Sequence, residues 1–251
     1  MKIISVASFK GGVGKTQTVI NLAALMAREG KRVLMIDADA QHNLTDFFCP
    51  DNDGPTISDV LTGEGEPLWL DNVQEVRDGL DILPADMRLL TLDLAAVLNG
   101  SAACDKRMFD FLECVRMDCC YDTVLFDCPP SFTTASVAAL VCSDEVILPT
   151  RADAFSRAGA LELIAQVQSL GRYHVAPRFR VLVTMTDRTN LSRQVEAQLR
   201  GSGLDVFETV IPASVCVGES TYAKLPLYEY APRSRAAQGY EDLVREVLRD
   251  G

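Results

Sequence analysis

The six residues "GGVGKT" (11–16) stand between a short apolar run, "IISVAS" (3–8), and a helical pattern, "TQTVINLAALMAREG" (16–30), which Gly30 stops. A glycine-rich turn that leaves a strand and opens a helix is the setting of a phosphate-binding loop. Its glycines let backbone N–H groups turn inward around phosphate oxygens, and the helix N-terminus adds its positive end. Lys15 is placed to reach the β- and γ-phosphates of a nucleotide, and the Thr16 hydroxyl to ligate Mg²⁺. The cradle is Gly11, Gly12, Val13, Gly14, Lys15, Thr16 and Gln17, with a second lysine, Lys10, at its other end. A loop of this kind also commits the chain to a sheet whose strand tips present ligands.

The rest of the chain agrees with that commitment. Further strand-like runs are "RVLMID" (32–37), "TVLFD" (123–127), "EVILPT" (145–150), "RVLVTM" (180–185) and "VFETVI" (206–211). They carry few polar residues, as strands buried on both faces do. Helical patterns lie between them at 86–98, 105–118, 132–142, 155–170 and 190–200, with a last one at about 238–249. The alternation predicts an α/β fold, a mostly parallel twisted sheet with helices on both faces, of P-loop NTPase architecture. With no linker or repeat, residues 1–251 are expected to form a single P-loop domain, which the resemblance given below makes an ATPase domain. The region 49–80 is the least regular.

Magnesium–nucleotide sites need carboxylates at strand ends. "VLMIDADAQ" ends on Asp37 and Asp39, and "TVLFDCPP" ends on Asp127, where Pro129 and Pro130 force the chain out of the sheet. Together with the loop, these make a nucleotide phosphate chain with Mg²⁺ the expected ligand; the family resemblance given below makes the nucleotide ATP.

Charge is uneven. The net charge is −11; residues 1–150 hold 11 Lys and Arg against 23 Asp and Glu, a balance of −12, and residues 151–251 hold 13 against 12, a balance of +1. The second part gathers Arg172, Arg178, Arg180, Arg188, Arg193 and Arg200 in one stretch. An acidic face suits a basic partner, and a local arginine patch can touch phosphates despite the overall sign. No apolar run approaches the ~18–20 residues of a membrane span. "MKIISVASFKGG" turns glycine-rich too soon for a signal peptide, and the eight cysteines are scattered without a CxxC, so reduced thiols in a cytoplasmic protein are expected.

"KGGVGKT" with its extra lysine, Lys10, resembles the deviant Walker A motif of the ParA/MinD ATPases. "DADAQHNLT" (37–45) and "DCPPS" (127–131) are similar to that family's two switches. "VTMTDRTNLS" (183–192), "TVIPASV" (209–215) and "YAPRSRAAQGY" (230–240) look like the ParA/Soj branch. The resemblance runs from residue 1 to about 249. It implies an ATP-dependent homodimer in which Lys10 crosses to the phosphates held by the other subunit. It implies that Asp39 positions or activates the attacking water, that Asp127 holds Mg²⁺ through water and senses the γ-phosphate, and that Asp37 supports the loop or the Mg²⁺ water. Thr184, Pro212 and Ser214 lie where the family surrounds adenine and ribose. The implied activity is slow ATP hydrolysis, stimulated by a ParB-like DNA-bound activator. MinD's membrane-targeting C-terminal helix has no counterpart in "YEDLVREVLRDG", so no membrane partner is expected.

Three substitutions depart from the usual pattern without removing a phosphate or metal group: Gln17 for Thr, Ala40 for Pro and His42 for Gly. The departure that bears on DNA is "IPASVCVGEST" (211–221), in which Ala213 and Cys216 replace arginines that help many Soj-like members bind DNA non-specifically. The remaining candidates for non-specific DNA are Arg188, Arg193, Arg200, Arg233, Arg235, Arg245 and Arg249. Two expectations follow: a chromosome, plasmid or mobile-element partition switch associated with the nucleoid, or a ParA-like positioning ATPase whose cargo or surface is not DNA. A third, an electron-transfer ATPase like the nitrogenase iron protein, needs interface cysteines; Cys128 and Cys142 are the nearest in sequence to the second switch, in a context that does not match.

Overall fold

The computed structural model describes residues 1–65, 68–99, 102–153, 156–170 and 176–249; Arg172 and the first residue of the pattern at 155–170 lie outside them. The first half runs β1 (Lys2–Val6), α1 (Lys15–Arg28), β2 (Val33–Asp37), α2 (Asn43–Phe48), α3 (Ile57–Thr62), β3 (Gln74–Arg77), β4 (Leu80–Leu83), α4 (Arg88–Asn99) and α5 (Ala102–Met117). The second runs β5 (Thr123–Asp127), α6 (Thr134–Cys142), β6 (Glu145–Arg151), α7 (Ser156–Ser169), β7 (Arg178–Thr186), α8 (Asn190–Arg200), β8 (Val206–Pro212), α9 (Val215–Tyr222), α10 (Leu227–Tyr230) and α11 (Arg235–Arg249).

Among the described residues the strands form one sheet in the order β3-β4-β2-β5-β1-β6-β7-β8. Every neighbouring pair is parallel except β3 on β4. Chain order reverses on either side of β1, which has β5 on one flank and β6 on the other. That reversal opens a crevice at the strands' carboxyl ends, where ligands bind in such sheets. The loop 11–16 leaves β1 at that point.

The strands are apolar because both faces are covered. Ile4, Val6, Met35, Leu125 and Ile147 pack with α1 and α11 residues such as Leu22, Leu25 and Leu243. Ile3, Leu34, Phe126 and Leu148 pack on the other face with Leu112, Val115, Ala139 and Leu163 of α5, α6 and α7.

The irregular region 49–80 contains two strands that the pattern did not reveal. β4 is a four-residue parallel strand beside β2, too short to show a period, and β3 is its polar, antiparallel edge partner. The short helices α2, α3, α9 and α10 were also unforeseen.

The other edge strand, β8, is closed by side chains. Glu246 of α11 accepts from Glu208 N at 2.9 Å and Thr209 N at 3.0 Å. Arg200 donates to the carbonyls of Phe207 and Glu208 at 3.0 and 3.1 Å and pairs with Glu196. An edge whose backbone groups are already bonded does not recruit another strand. Glu246 also meets the buried guanidinium of Arg180 at 2.9 Å, which stacks on Phe207 with its central carbon 3.7 Å from the ring centroid. Burial works to raise the Glu246 pKa, but the two strand N–H groups and Arg180 outweigh it and hold the carboxyl low.

Candidate nucleotide site

The loop adopts the backbone its glycines allow. Gly14, at the N-cap of α1, has φ 90° and ψ 27°, and Gly12 has φ 69°, conformations that a side chain strains. The outer rim is braced from the sheet: the Thr184 hydroxyl of β7 donates to Val13 O at 2.9 Å. Thr184, expected with Pro212 and Ser214 around adenine and ribose, thus also holds the loop.

Lys15 is buried, 8% exposed, and donates to Lys10 O at 3.3 Å. Burial lowers its pKa; Asp127 and Asp39 pull it back up. Asp37 and Asp127 stand opposite one another in the β2–β5 register. Asp37 is committed to its own loop, accepting from Asp39 N at 3.1 Å, Thr45 N at 2.9 Å and Thr45 Oγ1 at 2.8 Å. Burial raises its pKa to about 6 against those bonds.

Asp127 is 1% exposed, and its pKa is raised well above the usual carboxylate range, first by burial and then by Asp37. A hydrogen bond with Thr16 and the charge of Lys15 act the other way. Its Oδ1 is buried and accepts no hydrogen bond. A buried carboxylate oxygen left over beside a threonine hydroxyl, at the mouth of a phosphate cradle, is a hard-oxygen donor set that fits Mg²⁺.

Asp39 sits half-buried at the crevice, its Oδ1 accepting from Gln41 N at 2.9 Å. His42 follows in the left-handed region, φ 44°, with Nδ1 3.1 Å from Asp46 Oδ1. That backbone suits the family's usual glycine at position 42. Lys10 reaches out of the loop to Asp153, just past the end of β6, with Nζ 2.7 and 2.9 Å from the two carboxylate oxygens. Nothing in the sequence pattern singled out Asp153.

Ser214 caps α9 by accepting from Cys216 N at 3.3 Å, and Pro212 ends β8. Gln17 donates to Thr221 Oγ1 at 2.8 Å, and Asn21 Oδ1 accepts from Leu227 N at 2.9 Å, so α1 is tied to α9 and α10. All eight cysteines are unpaired; Cys128 is buried with its thiol pushed up by burial, and burial raises Cys142 to about 12.

The arginines divide. Arg200 is engaged on β8, and Arg245, 70% exposed, pairs with Asp242 and Glu241 along its own helix. Arg249 also has a partner. Arg188, Arg193, Arg233 and Arg235 are exposed, and their side chains make no hydrogen bond or ion pair with the described residues. The first pair stands at the start of α8, just after β7. The second stands at the start of α11, whose Gly239 lies against the last residues of β8. Both pairs therefore crowd the carboxyl end of β7 and β8, around α9. There Val215 and Tyr222 are 80% and 93% exposed. Among the described residues no helix is long and apolar enough to cross a membrane.

The sequence matches a family model described as an AAA domain over residues 1–180. It is 36% identical over 260 aligned positions to the chromosome partitioning protein ParA of Caulobacter vibrioides, covering 99% of this chain and 94% of that one. It is 35% identical to the sporulation initiation inhibitor protein Soj of Bacillus subtilis, covering 100% and 99%. Among solved structures it resembles the ATP complex of Cyanothece McdA(D38A), with a TM-score of 0.80, 23% identity and 99% and 96% of the two chains covered.

Proposed function

The chain belongs to the ParA/Soj family of P-loop ATPases, and we propose that it is an ATP-driven dimerising switch that partitions DNA. The observation that carries this is the joining of a complete phosphate cradle to a lysine, Lys10, that leaves the cradle and meets Asp153 at its outer rim. A lysine facing away from its own phosphates is placed to serve another subunit's.

ATP enters with its phosphates against Gly11, Gly12, Val13 and Gly14, its terminal phosphates at Lys15. Thr16 and Asp127 would hold Mg²⁺, which neutralises phosphate charge when bound. Pro212 and Ser214 border the base and ribose, with Gln17 and Thr184 fixing the walls. Lys10 is drawn across only when the partner carries anionic nucleotide, so ATP and dimerisation are coupled. Asp39 orients the water that attacks the γ-phosphate. Hydrolysis of this kind depends on positioning and charge neutralisation, and with one half-buried carboxylate as the base it is slow until an activator arrives. A ParB-like DNA-bound partner supplies that stimulus; the acidic surface of residues 1–150 suits a basic activating segment. The protein works in the cytoplasm, on the nucleoid.

The DNA surface is the cluster Arg188, Arg193, Arg233 and Arg235, doubled in the dimer. A second reading is favoured by α9, which exposes Val215 and Tyr222 where arginines are usual nearby: a positioning ATPase whose cargo or surface is not DNA. One experiment separates them. Asp39→Ala is titrated with non-specific duplex DNA, with ATP and with ADP, over a salt series. Binding with ATP alone and a steep salt dependence supports the partition switch. A protein that dimerises but binds no DNA at low salt moves the assignment to the second reading.

A further inference from the structure

β6 ends on Arg151, and its neighbours define where that residue stands. Arg151 is in register with Thr184 of β7, whose hydroxyl holds the Val13 carbonyl of the loop. Along β6, Ile147 faces the layer of α1 and α11, while Val146 and Leu148 face the opposite layer. Side chains alternate along a strand, so position 151 lies on the face of Ile147, the face that carries the phosphate loop and α1. Arg151 is the one exposed residue of an otherwise buried strand. The chain then turns tightly, Asp153 N donating to Arg151 O at 2.8 Å, and Asp153 receives Lys10. Arg151, Lys10 and the rim of the loop thus occupy one patch above β1, β6 and β7.

We propose that Arg151 is a second cation of the nucleotide-dependent dimer contact, directed with Lys10 at the polyphosphate held by the partner subunit. The inference rests on the reading of Lys10 as a cross-dimer residue, since whatever Lys10 clasps at rest lies on the surface that the partner meets. Electrostatics give it a purpose. Each chain carries a net charge of −11, and bound nucleotide adds to it, so two loaded subunits repel at long range. Local positive charge at the contact must offset this. A guanidinium suits the task because it stays charged and bonds phosphate oxygens in a planar, bidentate manner. Sequence patterning passed over Arg151 because it closes an apolar strand outside the loop and both switches.

The test uses the full chain in the Asp39→Ala background. ATP-dependent dimerisation is measured by sedimentation over a salt series, and binding of a fluorescent ADP analogue is measured on the same proteins. Arg151→Gln is expected to weaken the ATP dimer by about tenfold or more and to flatten its salt dependence, with ADP-analogue affinity within about twofold. Arg151→Lys should recover part of the loss. An unchanged dimer constant for Arg151→Gln overturns the proposal. Loss of ADP-analogue binding also overturns it, by placing Arg151 in its own subunit's cradle. If Asp39→Ala with Arg151 intact does not dimerise with ATP, the dimer reading itself fails and the inference falls with it.

Discussion

Lys10 Nζ and the carboxylate of Asp153 are paired at 2.7 and 2.9 Å within one subunit, across a separation of 143 residues. Both side chains remain substantially exposed, at 37% and 41%. A pair this wet is worth up to about 1 kcal/mol. It can therefore park Lys10 without locking it, and a partner's triphosphate can take the lysine over. Asp153→Asn should tighten the ATP dimer by up to about fivefold at low salt, with the gain vanishing at high salt. Sedimentation equilibrium reads this, and a weaker dimer would show that Asp153 serves the closed state instead.

Lys15 is buried among carboxylates and aimed along the cradle. Lys15→Ala should cost about 3 kcal/mol of ATP binding, roughly a hundredfold, measured by calorimetry. Binding that survives intact would remove the loop from the nucleotide site.

The carboxylate pair predicts a pH dependence. Asp37 is raised to about 6 and Asp127 well above its usual range. Each is a carboxyl that binds its proton more tightly folded than unfolded, so each weakens the metal-free fold as pH rises above the ordinary carboxylate range, Asp37 between about 4 and 6. As the proposed holder of Mg²⁺, Asp127 would have to be ionised, so metal and proton would compete there. The extra thermal stabilisation given by Mg²⁺ with ADP, over ADP with chelator, should grow as pH rises above the ordinary carboxylate range. Asp37→Asn removes the neighbouring charge and should shift this rise to lower pH. A difference that is flat or larger at low pH would contradict the assignment of Asp127.

The sheet's far edge depends on one carboxylate. Glu246 serves two strand N–H groups and the buried Arg180. Glu246→Ala leaves a buried charge and two donors unmet, and should destabilise the protein by about 3–5 kcal/mol in urea unfolding. The folded pKa of Glu246 is lowered, so its contribution is present above about pH 4.5 and lost as pH falls below that. A loss under about 1 kcal/mol would mean that water replaces Glu246 at the edge.

The sequence made the central sheet legible because both its faces are buried. Strands such as "TVLFD" need continuous apolar side chains, and the structure places that one at Thr123–Asp127 as expected. β3 was invisible because an edge strand has one open side and tolerates Gln74, Glu75 and Arg77. The phosphate loop and its carboxylates were legible because their chemistry is local: each residue sits at a strand tip or helix start. Asp153 was not, since its partner Lys10 lies on another strand's loop, and no pattern records which loops meet in space. The same limit applied to the arginines. Composition collected seven candidates; the nearby Glu241 and Asp242 pointed to ion pairs such as that of Arg245, but only geometry showed Arg200 holding β8.

The four arginines left exposed make a graded prediction. In the Asp39→Ala background, Arg188→Ala, Arg193→Ala, Arg233→Ala and Arg235→Ala are measured singly. Each should reduce the slope of log affinity against log salt by about one for every phosphate that its arginine neutralises. Arg245→Ala should leave it unchanged. Equal effects from all five would point to net charge rather than a defined patch.

The account turns on Lys10, and two variants measured side by side test it most directly. Asp39→Ala and the double variant Lys10→Ala with Asp39→Ala are compared for ATP affinity and for sedimentation with ATP and with ADP. The predicted result is equal ATP affinity in both, an ATP-specific dimer for Asp39→Ala, and a monomer in either nucleotide once Lys10 is removed. A double variant that dimerises as well as its parent would contradict the account, because the nucleotide would then close the dimer without Lys10.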